Sequence, residues 1–168
     1  GVEKFVTTDV DGSATNTGEA VSLTFSDVAE TTTNAITVDA SGITDSNDDV
    51  TVNAGANDET ATTFTITGGA GADILAGSNA ADIINSGAGN DIITIGAGND
   101  NITAGAGNDA LSAGANLTSS DTVAGGAGTD TITLSAATID LDFTNVTTIE
   151  KLTGGTAGSF TLGALAQA

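Results

Sequence analysis

The chain has 168 residues, with 22 acidic against 2 basic side chains and a formal net charge of −20 at pH 7. Because phosphate binding needs Lys or Arg, this balance argues against nucleic acid as a partner. There is no Cys and no His, which excludes disulfides, thiolate and imidazole metal ligands, and Ser–His or Cys–His nucleophile pairs. No run approaches the ~20 apolar residues that span a bilayer, so membrane insertion is not expected.

Strand-like runs, rich in alternating or β-branched residues, follow one another along the chain. They lie at 21–25, 35–39, 50–53, 61–66, 131–134, 139–143, 146–152 and 160–162. Loops of Asp, Asn, Ser and Gly separate them, and short helical turns are expected only at 26–29 and 163–168. The fold class is therefore predicted to be all-β.

A nine-residue repeat fills the middle of the chain. Its aspartates are Asp73, Asp82, Asp91, Asp100 and Asp109, followed after an irregular spacing by Asp121 and Asp130. Two residues after each aspartate stands one aliphatic residue, in order Leu75, Ile84, Ile93, Ile102, Leu111, Val123 and Ile132. Glycines at the second and fourth positions of the hexapeptides that end in aspartate are Gly69, Gly71, Gly87, Gly89, Gly96, Gly98, Gly105, Gly107, Gly126 and Gly128. Such a nonapeptide is typical of a calcium-binding parallel β-roll.

The repeat divides the chain into three zones. Residues 1–66 are predicted to be an irregular β flank that continues into the solenoid, and residues 67–133 the β-roll itself. Residues 134–168 are a second β flank that could begin a further repeat unit. Val2-Glu3-Lys4-Phe5 matches Ile149-Glu150-Lys151-Leu152, and Ser22–Phe25 matches 159–162, either by coincidence or because a strand motif brackets each block.

Coil geometry arranges the aspartates in two rows. Two nonapeptides make one coil with a strand in each sheet, and coils stack at about 4.8 Å. One row would hold Asp73, Asp91, Asp109 and Asp130, and the other Asp82, Asp100 and Asp121, if the three extra residues before Asp121 bulge outward. Adjacent members define about five interior pairs, at 73/91, 91/109, 109/130, 82/100 and 100/121.

Calcium suits these pairs because it takes six to eight oxygen ligands in flexible geometry. The glycines allow positive φ in the turns, which aims each aspartate between stacked turns. Ala80 replaces a glycine before Asp82, and the seven residues 115–121 contain none, so pairs 73/91 and 91/109 are expected to bind best. In the alternative interpretation, the aspartates only end turns and stay solvated.

Residues 68–133 resemble the RTX family, the calcium-binding nonapeptide-repeat proteins of bacteria. The Thr- and Ala-rich flanks, such as 36–41 and 143–146, are similar to those of RTX-type bacterial surface-layer (S-layer) proteins. The resemblance implies type I secretion, folding outside the cell in millimolar calcium, and ordered self-assembly on the cell surface.

Three functions remain open from the sequence. The first is a non-enzymatic calcium-binding structural module of a secreted S-layer-like protein, in which Ca²⁺ drives folding and assembly into an array. The second is the calcium-triggered folding and secretion module of a larger type I secreted enzyme or toxin. The third is an adhesin extender or ice-binding solenoid, suggested by Asn90, Asn99 and Asn108.

Other acidic and apolar residues have two interpretations each. Asp9 and Asp11, the loop residues Asp45, Asp48 and Asp49, and the run 57–59 are either solvated loop charges or extra calcium ligands. Outward-facing aliphatic residues follow the aspartates directly at Ile74, Ile83 and Ile92, and either a flank or a neighbouring molecule would cover them.

Overall fold

A computed structural model describes residues 2–8, 18, 20–25, 34–55, 60–135 and 143–154 of the chain. These residues form short strands and one 3-10 helix, Phe143–Asn145. The strands are β1 Val2–Thr8, β2 Ala20–Thr24, β3 Asn34–Gly42, β4 Asp49–Asn53, β5 Thr62–Thr67, β6 Ile74–Ala76, β7 Ile83–Ala88, β8 Ile92–Thr94, β9 Asn101–Ala106, β10 Ala110–Gly114, β11 Thr122–Ala127, β12 Thr131–Leu134, β13 Val146–Thr147 and β14 Lys151–Gly154.

The strands alternate between two parallel sheets. One seven-stranded sheet contains the odd-numbered strands in chain order, and the other contains the even-numbered strands. Each coil therefore places one strand in each sheet, and strands pair with those of the next coil. This arrangement confirms the predicted all-β parallel β-roll. The strands of both flanks continue the same two sheets.

The repeat aliphatics form the interior. In the even-numbered sheet, Leu75 pairs with Ile93, Ile93 with Leu111, and Leu111 with Ile132. In the odd-numbered sheet, Ile84, Ile102 and Val123 are paired in the same way. All seven side chains are buried, as the alternation of the strands requires. Their stacking fixes the register of the coils, because a slip by one residue would expose every one of them.

Three sequence expectations need correction. The extra residues before Asp121 do not simply bulge outward, because Leu117 is buried in the core among otherwise exposed loop residues. The single strand expected at 146–152 is two strands in opposite sheets, broken at Thr148, which has a φ of 51°. Phe143 belongs to the 3-10 helix rather than to a strand. The rest of 139–143, together with 26–29, 159–162 and 163–168, lies outside the described residues.

Different side chains fill the two ends of the interior. At the N-terminal end, Phe5 packs edge-on against Phe25, and Phe25 against Phe64, with ring centroids 5.6 and 5.1 Å apart. At the C-terminal end, Val146 and Ile149 are buried. Of the two matching sequences, Val2–Phe5 lies in β1, whereas only the last two residues of Ile149–Leu152 lie in β14, at the opposite end and in the other sheet. Within the described part of the chain, no helix is long and apolar enough to cross a membrane.

Candidate calcium centre

Backbone hydrogen bonds connect the aspartates of the first carboxylate row, Asp73, Asp91, Asp109 and Asp130. The amide of Asp73 donates to Oδ1 of Asp91 at 2.8 Å, and the amide of Asp91 donates to Oδ1 of Asp109 at 2.8 Å. The amide of Asp109 donates to Oδ1 of Asp130 at 2.9 Å. Oδ1 of each aspartate thus fixes the register between its own coil and the preceding coil.

The second carboxylate row, Asp82, Asp100 and Asp121, follows the same rule. The amide of Asp82 donates to Oδ1 of Asp100 at 2.9 Å, and that of Asp100 to Oδ1 of Asp121 at 2.8 Å. Both rows thus have the membership that coil counting predicts. The first aspartate of each row accepts an amide of the N-terminal flank: Val50 donates to Asp73 and Phe64 to Asp82, both at 2.8 Å.

The second carboxylate oxygen separates the aspartates into two groups. In three turns, Oδ2 accepts an amide of its own turn. The donors are Gly69 to Asp73 at 2.7 Å, Ser78 to Asp82 at 2.6 Å and Thr118 to Asp121 at 2.6 Å. In the other four, Oδ2 is buried and has no hydrogen-bond partner; these are Asp91, Asp100, Asp109 and Asp130.

The glycine conformations separate the turns into the same two groups. Both turn glycines have positive φ before each of the four aspartates with a free Oδ2; the pairs are Gly87 and Gly89, Gly96 and Gly98, Gly105 and Gly107, and Gly126 and Gly128. Gly69 and Gly71 do not, so the expectation of positive φ is wrong for the first turn. That turn lies on a flank loop and not on another repeat turn. Its amides at Ala70 and Ala72 donate to the Ile43 carbonyl and to Asp49 Oδ1.

Successive glycine turns approach each other closely. A Cβ on Gly107 would overlap the carbonyl of Gly89, and a Cβ on Gly89 would overlap the carbonyl of Gly71. Only glycine allows this contact, through both its positive φ and its missing side chain. Backbone carbonyl oxygens are therefore stacked within the same turns that hold the free carboxylate oxygens.

Burial disfavours the charged form of these carboxylates when no counter-ion is bound. Burial raises the pKa of Asp100 to about 7, and the charges of Asp82 and Asp121 add to the rise. It raises the pKa of Asp109 to about 6, with added repulsion from Asp91 and Asp130. Burial also raises the pKa values of Asp73, Asp82, Asp91 and Asp130. A bound cation would remove this cost.

The donor set fits an oxygen-preferring divalent cation. Among the described residues, no three acidic, His or Cys side chains converge on one point. An ion in a turn would therefore combine one or two carboxylate oxygens with stacked backbone carbonyls. That chemistry suits Ca²⁺, which accepts mixed carboxylate and carbonyl oxygens in irregular geometry.

Several polar contacts of the turns were not anticipated. Asn90 Oδ1 accepts the amide of Asn108 at 2.7 Å, and Asn108 Oδ1 accepts the amide of Thr129 at 2.8 Å. These two asparagines therefore connect successive turns outside the carboxylate row. Their recurrence directly before an aspartate is the sequence feature from which these contacts could have been predicted. The Ser78 and Thr118 contacts carried no periodic signal, because both residues stand where the repeat is broken.

The remaining acidic candidates are placed unevenly. Asp45 Oδ1 accepts the amide of Asn47 at 3.0 Å, as in an ordinary Asx turn. Asp48 is buried, whereas Asp49 is exposed and accepts from Ala72 at 3.0 Å. Calcium at this loop stays a prediction. Asp9, Asp11 and the whole run 57–59 fall outside the described ranges.

A parallel β-roll with glycine turns and buried carboxylate rows defines a cation-binding β-solenoid. Residues 65–93, 96–116 and 118–136 match the RTX calcium-binding nonapeptide repeat, in four copies. These segments therefore carry RTX calcium-binding repeats, which are typical of secreted bacterial proteins. No curated protein and no solved structure matches the chain.

Proposed function

We propose that the chain is a non-enzymatic structural module of a secreted bacterial cell-surface protein, similar to S-layer proteins, in which Ca²⁺ drives folding and assembly. The observation that carries the proposal is the set of four buried carboxylate oxygens without a hydrogen-bond partner. A buried charge without a partner is costly, so a bound cation would stabilise a folded state that contains four of them.

The free oxygens rank the five aspartate pairs. Pairs 91/109 and 109/130 have a free Oδ2 on both members, whereas 73/91, 82/100 and 100/121 have one each. The pairs with two free oxygens bind first in this proposal. The pairs that include Asp82 or Asp121 bind last, because each of those carboxylates accepts from a hydroxyl, of Ser78 or Thr118, in addition to a backbone amide.

Folding would then follow calcium concentration. In the cytoplasm, where free calcium is low, the carboxylate rows repel and the chain stays unfolded and competent for type I secretion. Outside the cell, millimolar calcium fills the turns. Each site adds about 2.7 kcal/mol when calcium exceeds its Kd a hundredfold.

Assembly into an array is the finer part of the proposal. Ile74 and Ile92 are neighbours on the outer face of the even-numbered sheet, 48% and 50% exposed. The end strands β1, β2, β13 and β14 each pair with one described neighbour only, and such edges favour strand addition. These surfaces support self-association, with the three zones 1–66, 67–133 and 134–168 as parts of one array unit.

Light scattering and electron microscopy in calcium and in chelator test assembly. We expect higher-order species in calcium only. Ile74→Thr with Ile92→Thr should reduce them, whereas Ile83→Thr, a control on the other sheet with 50% exposure, should reduce them less. A chain that binds calcium yet stays monomeric at every concentration would leave the alternative: a folding and secretion module of a larger type I secreted enzyme, toxin or adhesin. A catalytic domain in the adjoining sequence would have the same consequence.

A further inference from the structure

The first carboxylate row does not end at Asp130. The amide of Asp130 donates to Oε2 of Glu150 at 2.7 Å, the same contact that Asp109 makes to Asp130 and Asp91 to Asp109. Glu150 lies outside the matched repeats, which end at residue 136. It therefore takes the place of a fifth aspartate at the C-terminal end of the row.

A shortened turn explains why this residue is a glutamate. In the repeat, the carbonyl of Ser86 faces Gly68, and Asp91 follows Ser86 five residues later. In the flank, the carbonyl of Thr148 faces Gly125 in the same way, but Glu150 follows only two residues later. The additional methylene of glutamate lets its carboxylate reach the Asp130 amide from this shorter segment.

Two oxygens border one point of this last turn, and the Glu150 carboxylate accepts the amide of the same aspartate. A Cβ on Gly125 would overlap both the Thr148 carbonyl oxygen and Oδ2 of Asp130, so these two oxygens border one point. Asp130 is fully buried and its Oδ2 has no hydrogen-bond partner. The amide of Gly126 donates to the Thr148 hydroxyl at 2.7 Å, whereas the corresponding amide of Gly69 satisfies Asp73 in the first turn.

We infer that Asp130, the Thr148 carbonyl and Glu150 form a further divalent-cation site at the C-terminal end of the first carboxylate row. The inference rests on the proposed calcium-dependent function and extends it beyond the nonapeptides. Asp130 would belong to two neighbouring sites, as Asp109 does within the repeats. Thr148 holds its carbonyl in place through a φ of 51°, the one positive φ of a non-glycine residue in the described ranges.

Glu150→Gln tests this site, because glutamine keeps an oxygen acceptor for the Asp130 amide and removes only the charge. Equilibrium dialysis of the whole chain with Ca²⁺ should count one ion fewer than in the wild type. Asp39→Asn is the matched control: it removes the same charge from a strand at the other end, and asparagine keeps the acceptor for the Ser41 hydroxyl. It should bind as many ions as the wild type.

Calcium titrations followed by circular dichroism separate a ligand from a purely structural cap. The Glu150→Gln variant should reach the native spectrum at higher calcium than the wild type. The inference is overturned if the variant binds the same number of ions with the same midpoint, or if no calcium concentration restores its native spectrum. If the wild type itself binds no calcium, the proposed function fails and not this site alone.

Discussion

The two oxygens of each repeat carboxylate contact different groups. Oδ1 accepts a backbone amide from the preceding coil in every member of both rows. Oδ2 is either satisfied within its own turn, as in Asp121, or left without a partner, as in Asp91. Oδ1 therefore fixes the register between coils, whereas the hydrogen bonding of Oδ2 determines how strongly a turn depends on a cation.

This difference predicts unequal effects of two isosteric substitutions. Asp91→Asn should remove about 2.7 kcal/mol of calcium-dependent stability for each site that it disables, when calcium exceeds the Kd a hundredfold. Asp121→Asn should weaken the fold through its contact with Thr118 but change the calcium-dependent part less. Denaturant unfolding at several calcium concentrations measures both. Equal calcium dependence in the two variants would count against the division of the turns.

The close approach of the turns predicts a glycine-specific defect. Gly107→Ala should destabilise the calcium-bound roll by about 1–3 kcal/mol, because the residue has a φ of 143° and its Cβ would overlap the Gly89 carbonyl. Gly55→Ala is the control, since its φ is not positive and its Cβ would meet neighbours at 3.4 Å. That change should stay within about 0.5 kcal/mol. A Gly107→Ala protein as stable as the control would contradict the observed turn packing.

Acid should affect the metal-free and calcium-bound states in opposite ways. Burial raises the pKa of Asp100 to about 7 and that of Asp109 to about 6, above the ordinary value near 3.8. Between pH 7 and 4 the folded state then binds more protons than the unfolded state, so metal-free stability should rise as pH falls through this window. Protons also compete with calcium, so its affinity should fall. Far-ultraviolet circular dichroism from pH 8 to 5 checks both signs, in chelator for the folded fraction and in calcium titrations for the affinity. A folded fraction in chelator that falls with acid would refute this account.

Individual elements show which parts of the fold are encoded locally. The inward aliphatics and the two carboxylate rows are predictable because a period of nine, one turn and one strand, fixes both side-chain direction and stacking. Gly69 and Gly71 fit the same pattern yet lack positive φ, because their neighbour is the loop containing Ile43 and Asp49 rather than a glycine turn. A turn's conformation thus depends on the coil before it, which a single repeat does not specify.

Irregular elements were less predictable because their structure also depends on neighbouring coils and not on the local sequence. Leu117 lies in an insertion without periodicity, so nothing in its local sequence indicates that it fills the core. The break at Thr148 coincides with a tertiary contact, the hydrogen bond from the Gly126 amide to its hydroxyl. The metal-ligand roles of the aspartates stay predictions, although their placement in two rows agrees with the spacing.

In the whole molecule, the negative charge destabilises the fold when no cation is bound. The net charge is −20, and the fold collects seven aspartates in two buried rows. Hydrophobic stacking and parallel pairing favour the roll, whereas the rows and the net charge oppose it. Calcium changes this balance at every coil at once, so folding should be cooperative in calcium concentration.

Far-ultraviolet circular dichroism of the whole chain, with millimolar Ca²⁺ and then with excess chelator, tests this claim most directly. We expect β signal to appear over a narrow range of calcium and to disappear when the ion is removed, with Mg²⁺ far less effective because it demands a stricter octahedral geometry. A β spectrum that is identical in calcium and in chelator would contradict the central claim that the cation is a condition for the fold.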